Sequence, residues 1–78
     1  MKVIGKGTYR GEYEGNKYEK IQLVCESEAP RKFVDFDGIY TEVIVCPVNA
    51  DNLKICIGDE IRVYYNKYGK VDTIFKVG

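Results

Sequence analysis

The chain contains no histidine and no tryptophan, and Ser27 is its single serine. Without histidine, the commonest general base and a frequent zinc ligand are missing, and the cysteines Cys25, Cys46 and Cys56 form no CxxC pair. We therefore expect no metal site and no cofactor. A P-loop glycine cluster is also missing, and Ser27 has no recognisable base beside it, so we predict that the protein is not an enzyme.

Long apolar segments are missing as well. No apolar run approaches the length of a membrane span, and the N-terminus lacks the apolar stretch and small-residue cleavage site of a secretory signal. The odd number of cysteines is typical of a reducing compartment, and Cys25 and Cys46 continue alternating apolar series, which predicts that they are buried. We expect a cytoplasmic protein without a membrane partner.

What the chain does contain is typical of one folded domain, which we place at residues 1–78. Of its 78 residues, 45% are hydrophobic and 13% aromatic, too many for a disordered segment. The 12 basic residues balance 12 acidic ones, which argues against a strongly electrostatic nucleic-acid binder. If the first and last strands lie together, the cations near the two chain ends would still form a basic patch; they are Lys2, Lys6, Arg10, Lys67, Lys70 and Lys76.

The first half of the chain shows the alternation of β-strands. Residues 2–14 alternate, and three glycines fall on the same face as Tyr9 and Tyr13, which predicts a long first strand that bends sharply and places both tyrosines in the core. Gly15-Asn16 predicts a turn into a second strand that extends to Cys25. Residues 26–38 break the alternation and predict a long connection.

The second half predicts three further strands. The third covers about 39–46 and is followed by a helical turn begun by Asn49. Residues 57–75 read as a closing hairpin, in which one face is apolar and includes Tyr65 and Phe75. We therefore predict an all-β fold, a small five-stranded antiparallel OB-like barrel, with an SH3-like barrel as the alternative.

The bent glycine-rich first strand, Gly15-Asn16-Lys17-Tyr18 and the last hairpin around Asn66-Lys67-Tyr68-Gly69 resemble small OB-fold single-stranded DNA-binding proteins. A fainter similarity links them to the DNA-binding protein of filamentous phages. The resemblance implies that a nucleic acid crosses the second and third strands and the loops after the first and fourth strands. It places five residues at that interface, namely Lys17, Tyr18, Lys20, Lys67 and Tyr68.

The residue types support the same function independently. An exposed tyrosine offers a ring face to a base, and neighbouring cations neutralise phosphates. We predict stacking on Tyr18, Tyr64 and Tyr68. The predicted phosphate contacts come from Lys17, Lys20, Arg62, Lys67 and Lys70, with closure by the long-loop residues Arg31, Lys32 and Phe33. The alternative for each tyrosine is ordinary cross-strand pairing, and the alternative for the loop cations is a solvated surface.

The sequence thus predicts weak, largely sequence-independent binding of single-stranded DNA or RNA, for example by an accessory protein of replication or of a mobile element. The alternative is a protein-interaction or assembly module with no nucleic-acid ligand. Such a module would use Phe33 and Phe36 of the long loop, or an exposed strand edge, to bind a protein partner or a second copy of the chain.

Overall fold

The structure, a computed structural model, describes residues 1–77 and contains five strands and one short helix. In chain order these are β1 (Lys2–Tyr13), β2 (Asn16–Ser27), β3 (Tyr40–Pro47), α1 (Ala50–Leu53), β4 (Glu60–Tyr65) and β5 (Val71–Val77). All strand pairs are antiparallel, and they form one sheet in the order β3-β2-β1-β4-β5. The predicted all-β, five-stranded antiparallel fold class is confirmed.

A tight two-residue turn joins β1 and β2. Tyr13 pairs with Asn16, and the turn residues Glu14 and Gly15 have φ values of 50° and 79°. Positive φ at both central positions defines the turn whose twist matches that of paired strands. The turn therefore lies one residue before the predicted Gly15-Asn16 position, and Asn16 is already part of β2.

A β-bulge near the start of β1 decides which of its residues reach the core. Val3 pairs with Cys25, whereas Gly5 pairs with Val24, so Ile4 is an extra residue in the strand. An extra residue moves all later side chains to the opposite face. Val3 is therefore buried while the following tyrosines point away from the core.

The prediction that Tyr9 and Tyr13 lie in the core is accordingly wrong, and Tyr65, predicted on the apolar face of the last hairpin, is not buried either. Tyr9 and Tyr13 lie on the face of β1 that the bulge turns outward, and both are exposed. Tyr65 lies on the core side of β4 but is half exposed, because it follows the last well-covered positions of that strand.

The core lies on one face of the curled sheet. Its buried hydrophobic residues come from β1 to β4 and from the segment after α1: Val3, Ile21, Leu23, Cys25, Ile44, Cys46, Ile55 and Ile61. Burial of Cys25 and Cys46 is confirmed, and it raises the pKa of both thiols above the ordinary value of 9.0. Cys56 is exposed.

The helical turn α1 begins as predicted at Asn49, whose side chain accepts a hydrogen bond of 2.8 Å from the backbone N–H of Asn52. At its other end, Lys6 Nζ donates to the carbonyls of Leu53 at 2.9 Å and Ile55 at 2.8 Å. A cation at a helix C-terminus satisfies carbonyls that have no partner within the helix. Lys6 therefore fastens α1 to β1.

The β4–β5 hairpin also contains a register shift. Tyr65 pairs with Val71 but Tyr64 pairs with Thr73, so the phase of β5 changes after Val71. Ile74 consequently faces the core, and Phe75 lies on the outside against Tyr64. The predicted apolar face of this hairpin is right for β4 and wrong for Phe75.

The end strands β3 and β5 approach each other across the curled sheet. The strand pairings found in residues 1–77 do not include a ladder between them, so closure of the barrel stays a prediction. The gap between these two strands is where the candidate interface lies.

Candidate nucleic-acid interface

The face of β1, β2 and β3 that points away from the core, here called the outer face, carries a mixed row of aromatic, basic and apolar side chains. The ladders place Tyr9 opposite Lys20 and Lys20 opposite Pro47, so one row crosses all three strands. The next outer-face row toward the chain's N-terminus runs from Gly7 through Gln22 to Val45. Adjacent strands are about 4.8 Å apart, so each row spans about 10 Å.

Tyr18 lies in the outer-face row on the turn side of Lys20, where it pairs with Gly11. Its ring lies across that glycine, because a Cβ atom at Gly11 would overlap the phenol oxygen and ring carbons of Tyr18. The ring is 44% exposed. One side of the tyrosine is therefore supported by the β1 backbone, and the rest is open to solvent.

Lys17 does not share this face. It pairs with Glu12, and both side chains lie on the same side of the hairpin as the core residue Ile21. Of the residues predicted near the first turn, the structure thus brings Tyr18 and Lys20 together and places Lys17 on the opposite side.

A groove of about 630 Å³ separates β3 from the turn between β4 and β5. Its walls include the exposed side chains Val43 and Val45 on one side, and Tyr65 and Lys70 on the other, with Lys20 at the margin. Within residues 1–77, no aspartate or glutamate lines it. A neutral protein thus contains a local surface that combines two cations with apolar walls.

Tyr65 lines this groove, and the pKa of its phenol is shifted. Burial raises its pKa above the ordinary value of 10.0, and the nearby Glu42 carboxylate and Cys25 thiol act in the same direction. The phenol therefore stays neutral at physiological pH and contributes a ring and a hydroxyl rather than a negative charge.

The turn between β4 and β5 is held by its own hydrogen bonds. The Asn66 side chain accepts from the backbone N–H groups of Tyr68 at 2.9 Å and Lys70 at 3.1 Å, and Gly69 has a φ of 76°. At the tip, Tyr68 is 73% exposed and Lys67 Nζ lies 5.1 Å from its ring centroid. This cation–π pair stands beside the groove.

The predicted residues Arg62 and Tyr64 lie elsewhere. Both are on the outside of β4, which flanks β1 on the side away from β2. Tyr64 packs edge-to-face against Phe75, with ring centroids 5.6 Å apart. The cross-strand pairing that we weighed as the alternative for Tyr64 is therefore present.

The long-connection residues Arg31, Lys32 and Phe33 do not line the groove either. Phe33 packs with Phe36 at 5.2 Å between centroids, and both pack with Tyr40 at the start of β3. Lys32 Nζ lies 5.2 Å from the Phe33 ring. The loop thus has a small aromatic cluster of its own.

The condition for the basic patch expected from the two chain ends is not met, because the first and last strands are not neighbours. β4 separates β1 from β5, and three of the cations concerned already have partners. Lys6 binds the carbonyls after α1, Arg10 pairs with Glu19 at 3.3 Å, and Lys76 pairs with Asp59 at 3.1 Å.

Sequence reasoning did not place Tyr9 on the outer face or Val43 and Val45 at the groove. Because of the bulge at Ile4, the residues of β1 after it point to the face opposite to the predicted one. No residue type at this position predicts a bulge. A usable signal was the turn: counting outward from the Glu14–Gly15 turn pairs Tyr9 with Lys20 and so places both on one face.

Two further properties bear on function. Among residues 1–77, no group of three or more His, Cys, Asp or Glu side chains is arranged to hold a metal ion. No helix in the same part of the chain is long and apolar enough to cross a membrane.

No protein-family model matches the chain, and it has no significant match among curated proteins or solved structures.

Proposed function

We propose that this protein binds single-stranded nucleic acid, DNA or RNA, weakly and with little sequence preference. The observation that carries the proposal is the groove between β3 and the β4–β5 turn, where Lys20 and Lys70 stand among apolar side chains and, in residues 1–77, no carboxylate belongs to the lining. Cations beside ring faces suit a polymer of alternating phosphates and bases.

The path of the ligand follows from the order of the side chains. It begins on Tyr18, passes Tyr9 and Lys20 on the outer face, enters the groove beside Lys70, and leaves over Tyr68. Lys67 neutralises phosphate at the exit. The other predicted residues lie off this path; they are Lys17, Arg31, Lys32, Phe33, Arg62 and Tyr64.

The fold supports this placement. An OB fold is a partly open five-stranded barrel that binds oligonucleotides on strands 2 and 3 and on the loops after strands 1 and 4. The curled sheet, the helix between β3 and β4, and the groove beside the β4–β5 turn are consistent with that architecture. We infer an OB-like fold in preference to an SH3-like one, and a cytoplasmic binding protein without catalytic activity, for example an accessory protein of replication or of a mobile element.

The test is fluorescence anisotropy of a labelled single-stranded oligonucleotide at several salt concentrations. The wild type should bind saturably, and binding should weaken as salt rises. The double variant Lys20→Gln/Lys70→Gln should bind at least about tenfold more weakly at low salt. The slope of log K against log salt should become less negative by about 1.4, since each phosphate contact to a single strand contributes about 0.7 to its magnitude.

A matched control removes the same charge elsewhere. Lys2 and Lys54 are exposed and lie outside the groove, so Lys2→Gln/Lys54→Gln should keep the wild-type slope. Equal losses in the two double variants would mean that net charge alone drives binding, and a flat wild-type titration would refute the proposal.

A second candidate function has its own observation. In the long connection, Val34 is 98% and Ile39 71% exposed beside the aromatic cluster of Phe33, Phe36 and Tyr40. Exposed apolar side chains around packed rings are typical of protein-interaction sites. In this alternative, the loop joins two copies of the chain into an assembly without a nucleic-acid ligand.

Analytical ultracentrifugation tests the alternative. A concentration-dependent dimer that is lost in Val34→Asp/Ile39→Asp, and kept in Ile57→Asp at another exposed apolar position, would support assembly through the loop. A monomer at all concentrations would contradict it.

A further inference from the structure

Three glycines lie on the outer face of β1, and a side chain at each would meet a different environment. A Cβ at Gly5 would lie 3.4 Å from Val24 Cβ, and a Cβ at Gly11 would overlap the Tyr18 ring. A Cβ at Gly7 would meet nothing within 4 Å, and φ of Gly7 lies outside the left-handed region.

A side chain at Gly11 would collide with the Tyr18 ring, and one at Gly5 would be in ordinary contact with Val24. At Gly7 the fold offers no steric reason for glycine. Glycine in the interior of a strand weakens it, because the unfolded chain gains entropy and no side chain packs on the sheet. Almost any β-forming residue would fit at Gly7 and strengthen the hairpin. Glycine at such a position lets the strand bend, or lets another backbone or a ligand approach closely. Because nothing lies within 4 Å of a Cβ built at Gly7, no backbone of this chain makes that approach, and the place is open to a ligand.

A hollow lies over that glycine. Its volume is about 270 Å³, and Gly7 stands between Tyr9 in the same strand and Gln22 and Val24 of β2. In residues 1–77, no acidic side chain lines the hollow. The lining thus includes a phenol ring, an amide with both donor and acceptor atoms, and an aliphatic side chain, and Lys6 and Thr8 also border the hollow.

We infer that this hollow is a subsite for one unpaired nucleobase of the strand whose binding is proposed above, and the inference rests on that function. The base approaches the Gly7 backbone, stacks on Tyr9 and meets the amide of Gln22 along its edge. Lys20, directly across the ladder from Tyr9, neutralises the adjoining phosphate.

Bulk at Gly7 tests the inference. Gly7→Leu should fill the hollow, leave the fold at least as stable in a urea titration, and weaken binding of a labelled oligothymidylate by about tenfold, in line with the loss of one stacked base. A strand of the same length built from abasic nucleotides keeps the phosphates but offers no base. Its weak binding should be the same for Gly7→Leu and wild type, and the salt slope should not change.

Thr73→Leu is the matched control, because Thr73 is an exposed residue of β5 that lines neither the hollow nor the groove. It should bind both strands as the wild type does. Should Gly7→Leu not fold, Tyr9→Leu and Gln22→Ala decide the question with the same two strands, each weakening only the base-bearing one.

The outcomes separate this inference from the general proposal. Salt-dependent wild-type binding that Gly7→Leu leaves unchanged, or that it weakens equally for the abasic strand, would overturn the base subsite and leave nucleic-acid binding intact. Failure of the wild type to bind either strand would overturn both.

Discussion

The two ends of the β1–β2 hairpin differ sharply although one continuous ladder joins them. At the base, where β1 meets β4, Ile21, Leu23 and Cys25 are fully buried. In the arm, residues 8–20, no side chain is buried, although Thr8 to Tyr13 keep regular cross-strand partners. Alternation and a tight turn suffice to form paired strands, whereas burial requires another element to cover them.

The base and the arm of the hairpin therefore have different roles, one in stability and the other in exposing side chains. A two-stranded ribbon alone is marginally stable in water, so the arm depends on the base for its order. In return, the arm contributes little to the core and can display Tyr9 and Tyr18 to a ligand. The elongated shape, 46 × 29 × 23 Å, reflects this projection.

The largest expected effect tests the base against the arm directly. Leu23→Ala removes a fully buried side chain and should lower the free energy of unfolding by about 3 kcal/mol, through lost transfer free energy and the cavity left behind. Tyr13→Ala, at a position 70% exposed in the arm, should cost less than about 1 kcal/mol. Urea denaturation followed by circular dichroism measures both, and similar losses would break the comparison.

Part of this fold was predictable from the sequence because local chemistry determines it. The alternation of Ile21, Leu23 and Cys25 marks a half-buried strand, and Asn49 marks the start of α1. The sequence could not show that no other element packs on β1 from Tyr9 to Tyr13. An exposed two-stranded ribbon and a half-buried strand have the same two-residue alternation.

The candidate site was less predictable, because two irregularities control its faces. The bulge at Ile4 turned Tyr9 outward, and the register shift after Val71 did the same for Phe75. Tyr18 and Lys20 share one face because they stand two residues apart in the same strand, which depends on no irregularity. The groove could not be predicted, because it forms between β3 and a turn more than 20 residues later in the chain.

A smaller loss of stability is expected at Lys6, which lies at the boundary between the base and the arm of the hairpin. Lys6 is exposed, yet its ammonium binds the Leu53 and Ile55 carbonyls. Lys6→Met keeps most of the stem and should lower the free energy of unfolding by about 1 kcal/mol, less than the roughly 1.5–3 kcal/mol of charge-assisted hydrogen bonds because water replaces them in part. Lys54→Met, an exposed lysine at the end of α1, should change it little.

If Lys6→Met proved neutral in the same urea titration, α1 would not need this bond, and the boundary between base and arm would lie nearer the chain's N-terminus than the structure indicates. A loss equal to that of Leu23→Ala would instead make Lys6 part of the core.

The smallest effect concerns pH and distinguishes the base from the arm by its acid sensitivity. Asp59 precedes β4, and its carbonyl accepts from the Val3 N–H at 2.9 Å, so it belongs to the base. The backbone N–H of Cys56, which donates to Asp59 Oδ2 at 2.7 Å, lowers the pKa of the carboxyl below its ordinary value of 3.8, and Lys76 adds to the shift.

Since the folded protein holds this proton less tightly than the unfolded chain, Asp59 stabilises the fold above about pH 4, and that contribution is lost as the pH falls through the lowered value. The urea midpoint of the wild type should therefore decrease as the pH falls below about 4, and that of Asp59→Asn should decrease less. Glu12→Gln removes a carboxyl from the arm, where the core does not depend on it, and should retain the wild-type acid response. If Glu12→Gln flattened the response as much as Asp59→Asn, the arm would share in the stability that we assign to the base.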